Sequence, residues 1–173
     1  MTALLTLQPV TPDKITVLSD AGDKAYRHHF TGYWDSVAEL NTYLNDEYHP
    51  EPLQQSLATP GVFWFFICAD EKIIGFCKLT ENRRAEGSEY CAMLLNKLYF
   101  LPGETGKGYG KTIFGLIEIF ARSRNQPGLW LEVLGNNTGA QHFYQSQGMI
   151  KTGTLAFETA QQSSQLFIME KKL

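Results

Sequence analysis

The chain has 173 residues, with 15 Lys and Arg against 18 Asp and Glu and a formal net charge of −3. That length fits one domain with a real hydrophobic core. The slightly acidic balance argues against a nucleic-acid partner, which would call for a basic face. No run is long and apolar enough to span a membrane. The stretch from Met1 to Leu7 has neither the basic region nor the cleavage site of a secretory signal, so a cytoplasmic protein is expected. Cys68, Cys77 and Cys91 are odd in number and sit in apolar contexts, as expected of buried thiols in a reducing compartment. His28, His29, His49 and His142 lack metal-ligand spacing, and no metal is expected.

Taken in chain order, Ala3 to Gln8 is a short apolar run ending at Pro9 and reads as a first strand. Thr11-Pro12-Asp13 then looks like a helix start, with Thr11 as cap and Pro12 in the first turn. That helix runs through Ile15, Leu18 and Ala25 towards Phe30, its pattern weakened by Gly22. A second helix begins at Asp35 as cap, with Val37, Leu40, Tyr43 and Leu44 at helical spacing. Pro50 and Pro52 open a third, which ends near Leu57. At Pro60-Gly61 the period changes. Val62 to Ala69 and Ile73 to Leu79, joined by Asp70-Glu71-Lys72, read as a hairpin. Asn82 to Ser88 reads as a polar loop, and Glu89 to Leu101 as the next strand. After a glycine loop, a helix carrying Ile113, Leu116, Ile117 and Phe120 runs to about Arg124. Leu129 to Leu134 is apolar except at Glu132 and reads as a central strand. A helix from Asn137, as cap, ends at Gly148. Two strands, around Met149–Phe157 and Gln165–Glu170, close the chain. The mix predicts an α/β fold with helices on both faces of one sheet.

The loop between Tyr99 and Thr112 organises the rest. It carries four glycines in the eight residues from Gly103 to Gly110. Strand, glycine loop and helix together present unpaired N–H groups and a partial positive charge to an anion. Glycine supplies positive φ and close approach, while Lys107 and Lys111 add charge. A phosphate-bearing ligand is therefore expected. The nucleotide P-loop pattern fails because its first glycine falls on Thr105, and the dinucleotide fingerprint fails at Lys111. The pattern [QR]-x-x-G-x-[GA] fits Thr105-Gly106-Lys107-Gly108-Tyr109-Gly110, apart from Thr105 at the Gln/Arg position. This resembles the acetyl-CoA pyrophosphate loop of the GNAT N-acetyltransferase superfamily. Further on, L-E-V-x-x-x-N-x-x-A-x-x-F-Y-x-x-x-G, from Leu131 to Gly148, is similar to the second half of the acetyl-CoA site in the same superfamily.

The resemblance covers the chain from about Pro60 onward. It implies a GNAT-like (acyl-CoA N-acyltransferase) fold with a mixed central sheet of six or seven strands. Residues 1–173 would form one domain, with the first strand and acceptor-side helices in 1–60 and the sheet and acetyl-CoA site in 61–173. By position, Leu98, Tyr99 and Phe100 would offer backbone groups to the pantetheine arm. Gly106, Lys107, Gly108, Tyr109, Gly110, Lys111 and Thr112 would hold the pyrophosphate, and Asn137 would hydrogen-bond the cofactor. Tyr144 would act as general acid beside its sulfur. The plain alternatives are a helix cap for Asn137 and a core aromatic for Tyr144. Glu132, a lone carboxylate whose burial would raise its pKa, is the expected proton acceptor, with an ordered water as the other option. The matching position in enzymes resembling ribosomal-protein alanine acetyltransferases is a Glu with that role.

Outside the cofactor motifs the chain resembles the bacterial spermidine/spermine acetyltransferase-like branch, at Asp35, Tyr43-Leu44, Tyr48, Leu53, Leu57 and Pro60, at Gly75 to Leu79, at Lys97-Leu98-Tyr99 and in the tail Ile168 to Leu173. That implies a small-molecule amine as acceptor, drawn by Asp35, Glu39, Asp46, Glu47 and Glu51, and leaves a homodimer open. A protein N-terminus as acceptor, or a CoA-binding regulatory domain without turnover, are the alternatives.

Overall fold

The computed structural model describes residues 2–173. Its strands are β1 (Leu5–Pro9), β2 (Val62–Ala69), β3 (Lys72–Arg84), β4 (Cys91–Phe100), β5 (Gly128–Leu134), β6 (Ile150–Glu158) and β7 (Ser163–Lys172). The helices are α1 (Ile15–Phe30), α2 (Val37–Tyr48), α3 (Pro50–Ala58), α4 (Tyr109–Ser123) and α5 (Thr138–Ser146). The strands form one mixed sheet in the order β1-β2-β3-β4-β5-β7-β6. β4 and β5 run parallel, joined at Met93–Leu129 and Leu94–Trp130. β1–β2, β5–β7 and β6–β7 are antiparallel. Among the described residues no helix is long and apolar enough to cross a membrane.

The chain packs as two compact units. One comprises the residues up to Lys78 with Lys97–Ile113; the other comprises Leu79–Asn96 with Phe114–Leu173. In the first, Leu18, Ala25, Leu40, Leu53, Trp64 and Phe76 form a buried cluster bordered by Phe30, Trp34, Tyr43 and Tyr99. Gly22, a weak point in the helical pattern, is what allows this packing. A Cβ there would lie 2.1 Å from the Tyr48 ring, so α1 and α2 meet only because the side chain is absent. In the second unit Ala85, Ala92, Trp130 and Ile168 are buried together, bordered by Tyr90, Leu94 and Leu155.

Three local expectations need correction. The cap of α2 is Ser36, not Asp35: Ser36 is extended and its hydroxyl accepts from the Glu39 N–H at 3.2 Å. β3 does not stop before a loop at Asn82 but continues to Arg84. There the Gln126 side chain accepts from the Asn82 N–H at 2.9 Å and donates to the Asn82 side-chain oxygen at 3.0 Å. Asn82 itself turns left-handed, at φ +56°, and just beyond it the Trp130 indole donates to the Arg83 carbonyl at 3.1 Å, so side chains satisfy this irregular, polar end of β3. Finally, Cys68 and Cys77 are buried but Cys91, at the open start of β4, is exposed.

Candidate active site

The first unit contributes a loop whose base is pinned and whose crown is open. Leu101 N–H donates to the Ile74 carbonyl at 2.8 Å, and Glu104 N–H closes a turn on the Leu101 carbonyl at 3.0 Å. The Glu104 side chain, buried at the base, receives the ammonium groups of Lys72 and Lys107. Hydrogen bonds from Lys72 and then Lys107 hold its carboxyl below the usual range, against the opposing pull of burial. Lys107 is therefore partly neutralised within the loop, and the full charge expected of it is shared with Glu104. Lys111 is exposed in the first turn of α4.

Above that base the backbone turns left-handed twice, with φ of +75° at Gly106 and +77° at Gly108. A Cβ built on either would meet no protein atom within 4 Å. Both glycines are thus demanded by backbone conformation rather than by packing, and the space beside them is open. Among the described residues no main-chain acceptor takes the amides of Thr105, Gly106, Lys107 or Gly108. α4 begins directly after, at Tyr109, so the first-turn amides of Tyr109, Gly110, Lys111 and Thr112 continue the series. Thr105 itself is exposed.

The strand before the loop is oriented by the same bonds. With Leu101 N–H directed at β3, strand alternation turns the main-chain groups of Tyr99 to β3 as well. The close approach of the Tyr99 carbonyl to Gly75, where a Cβ would lie 2.4 Å away, agrees with this. Of the three expected ladder residues, Leu98 and Phe100 are left facing away from β3. Phe100 is not unmodified: its carbonyl accepts from His29 at 2.8 Å. Lys97, 7% exposed, pairs with Glu47 at 3.0 Å and lies over the Tyr48 ring at 5.0 Å.

The second unit carries the other three expected residues. Asn137 is a helix cap: its side-chain oxygen accepts from the Ala140 N–H at 3.2 Å. Its amide nitrogen, and the second lone pair of the capping oxygen, are left for a ligand. Tyr144 is half-buried on α5, with its ring 6.2 Å from Phe114 and 5.3 Å from Phe143. Burial pushes its hydroxyl well above the usual tyrosine value, so it stays protonated but yields its proton less readily. Glu132 stands opposite Ile168 on β5 and, unlike its neighbours, is exposed. Partial burial and then the nearby Glu86 carboxylate raise its pKa, so the expected direction holds although deep burial does not. The apolar sequence around Glu132 reflects the other face of β5, where Leu131 and Val133 are buried.

Supporting side chains had weaker sequence signals. Gln141 donates to the carbonyls of Leu134 at 2.9 Å and Gly135 at 3.0 Å, tying α5 to the end of β5. Lys171 donates to the Gln147 carbonyl at 2.7 Å and pairs with Glu118 at 3.0 Å, holding the far end of α5. His29 and Lys171 act on main-chain carbonyls 71 and 24 positions away, which no local pattern marks, whereas Gln141 reaches back only six and seven positions.

Comparison with known proteins gives this arrangement a context. An uncharacterized N-acetyltransferase in the pepI 3′ region of Lactobacillus delbrueckii subsp. lactis is 25% identical over 140 residues, 80% of this chain and 81% of that protein. The fold is shared with the PaiA N-acetyltransferase of Thermoplasma acidophilum, crystallised with coenzyme A, at a TM-score of 0.74, 21% identity and coverage of 98% and 99% of the two chains. It is also shared with the spermidine N-acetyltransferase of Vibrio cholerae, crystallised with CoA and spermine, at a TM-score of 0.67, 17% identity and coverage of 97% and 95%. The model of the acetyltransferase (GNAT) family matches residues 25–149, which include the glycine loop, β5 and α5. This chain belongs to the acetyltransferase (GNAT) family.

Proposed function

We propose that the protein moves an acetyl group from acetyl-CoA to a primary amine by direct attack, and that the amine is a small polyamine of the spermidine/spermine kind. The observation that carries the donor is the crown of the loop, where left-handed Gly106 and Gly108 leave a run of unpaired amides leading into α4. Such a run suits a diphosphate, and a Cβ at either glycine would occupy the space one needs. Acetyl-CoA, when bound, supplies an activated acyl carbon. Gly106, Lys107, Gly108, Tyr109, Gly110, Lys111 and Thr112 are assigned to its diphosphate, and the main-chain groups of Leu98 and Phe100 to its arm. Tyr99 keeps its main chain for β3 and adds ring packing. Asn137 offers its amide nitrogen.

The amine must be neutral to attack. Freeing the lone pair of an ammonium with pKa about 10 costs roughly 4–5 kcal/mol at neutral pH. A proton acceptor is therefore needed, direct or through water. Glu132 has the raised basicity this asks for and the exposure to return the proton to solvent. Tyr144 keeps its proton and is assigned as the donor to the leaving sulfur. Its raised pKa makes that step steeper, so positioning contributes more than acid catalysis.

The polyamine assignment draws on the Vibrio cholerae likeness and on exposed Asp35, Asp46 and Glu51 beside the first unit's helices, which would favour a cation. Glu47 is committed to Lys97. The test is to incubate the protein with acetyl-CoA and a panel of polyamines, amino acids and peptides while following thiol release. Release with polyamines upholds the assignment. Release with peptides alone makes the acceptor a protein N-terminus, and CoA binding without release makes the chain a sensor.

A further inference from the structure

The ring of His29 reaches the strand leading into the phosphate loop, yet nothing in the sequence assigns it a role. It lies in the last turn of α1, where its ring packs against Phe30 at 6.1 Å and Tyr99 at 6.5 Å. Its Nε2 is 2.8 Å from the Phe100 carbonyl oxygen. A carbonyl only accepts, so Nε2 carries the hydrogen and donates. The same peptide group is held at its other end, because the Leu101 N–H donates to the Ile74 carbonyl at 2.8 Å.

The Phe100–Leu101 peptide is thus pinned on both sides by hydrogen bonds that polarise it in the same sense, each strengthening the other. It is also the last peptide with an N–H before the tertiary amide at Pro102, which has no donor of its own to hold the turn. From here the chain makes the Leu101–Glu104 turn and rises into the open amides from Thr105 to Gly108. The orientation of this peptide sets the starting direction of the whole crown. Since a carbonyl has two lone pairs, the His29 bond leaves Phe100 able to accept a second donor.

We propose that His29 is a positioning residue for CoA: by fixing the Phe100–Leu101 peptide from α1, it pre-orients both the strand end and the phosphate loop. The proposal rests on the CoA assignment above. Its test is the affinity for CoA itself, measured by calorimetric titration on the wild type, His29→Phe and His29→Gln. Phe keeps a ring to pack against Phe30 and Tyr99 but has no donor, whereas Gln keeps an N–H at similar reach. One hydrogen bond of ordinary strength predicts a Kd raised about fivefold in His29→Phe and within about twofold of wild type in His29→Gln. In steady-state assays the His29→Phe change should appear in KM for acetyl-CoA and leave KM for the amine unaltered. Equal affinity in all three proteins, or equal loss in both variants, overturns the role of His29. Failure of the wild type itself to bind CoA overturns the underlying assignment instead.

Discussion

The glycine loop of the first unit and the β5–α5 segment of the second unit each carry a set of expected site residues, but by different means. In the loop the expected binding groups are main-chain amides, while the side chains of Glu104, Lys72 and Lys107 pair at its base and His29 donates to the Phe100 carbonyl. In β5–α5 the expected groups are side chains, and two of the three, Asn137 and Tyr144, also have a structural occupation. Asn137 caps α5, and Tyr144 packs on Phe114 and Phe143. The two carboxylates show the contrast most clearly. Lysine hydrogen bonds lower Glu104, whereas partial burial and Glu86 raise Glu132. The surroundings of Glu104 favour its charged form, and those of Glu132 favour its protonated form.

This contrast makes predictions of decreasing size. Tyr144→Phe removes the proposed proton donor while keeping the ring, and turnover should fall about a hundredfold, the low end of general-acid effects. CoA affinity should barely move, so steady-state kinetics beside calorimetry separates the two. Unchanged turnover would leave Tyr144 as a packing residue only. Gly108→Val should do the reverse. A β-branched side chain at φ +77° is strained by roughly 1–2 kcal/mol and puts its Cβ into the open crown. CoA affinity should drop tenfold or more, with Tm lowered by only the few degrees that this strain costs, because no protein atom is displaced.

Asn137 separates cap from ligand contact. Asn137→Ala should cost about 1 kcal/mol of stability by denaturant unfolding. Asn137→Asp retains the cap oxygen and should restore stability. If Asp also restores CoA affinity, the side-chain nitrogen of Asn137 makes no ligand contact.

The smallest effects are in pH dependence, and their signs are opposite. Glu104 is lowered in the folded state, so its contribution to stability is present above the unfolded carboxyl pKa and is lost as pH falls through the lowered folded value. Glu132 is raised, so its contribution is present below the unfolded pKa and is lost as pH rises through the raised value. Comparing unfolding of Glu104→Gln and Glu132→Gln with wild type across acid to neutral pH should show the wild-type advantage over Glu104→Gln growing with pH. The advantage over Glu132→Gln should shrink instead. Parallel pH profiles for the two variants would refute the distinction.

The same contrast explains what was readable in the sequence. Glycine spacing reports backbone conformation directly, so the loop from Gly103 to Gly110 could be placed before any coordinates were known. Helix α5 was legible because Asn137 and Gly148 mark its ends in the chain itself. By contrast, β3 ran past its expected end because its polar residues find partners in Gln126 and Trp130, more than forty positions away. The choice of Ser36 over Asp35 as cap turned on the backbone dihedrals of adjacent residues that are both good caps. Glu132 stood out as a lone charge in an apolar run, but sequence alone does not say which face of β5 opens to solvent. His29 left no local trace, since its partner is a main-chain carbonyl that any residue at position 100 would supply.

The central claim concerns the loop amides, and they can be watched one by one. Titrating CoA into 15N-labelled protein should shift the amide resonances of Thr105, Gly106, Lys107 and Gly108 most strongly, in the downfield direction expected for N–H groups that gain an anionic acceptor. CoA binding that leaves those amides unmoved would contradict the account.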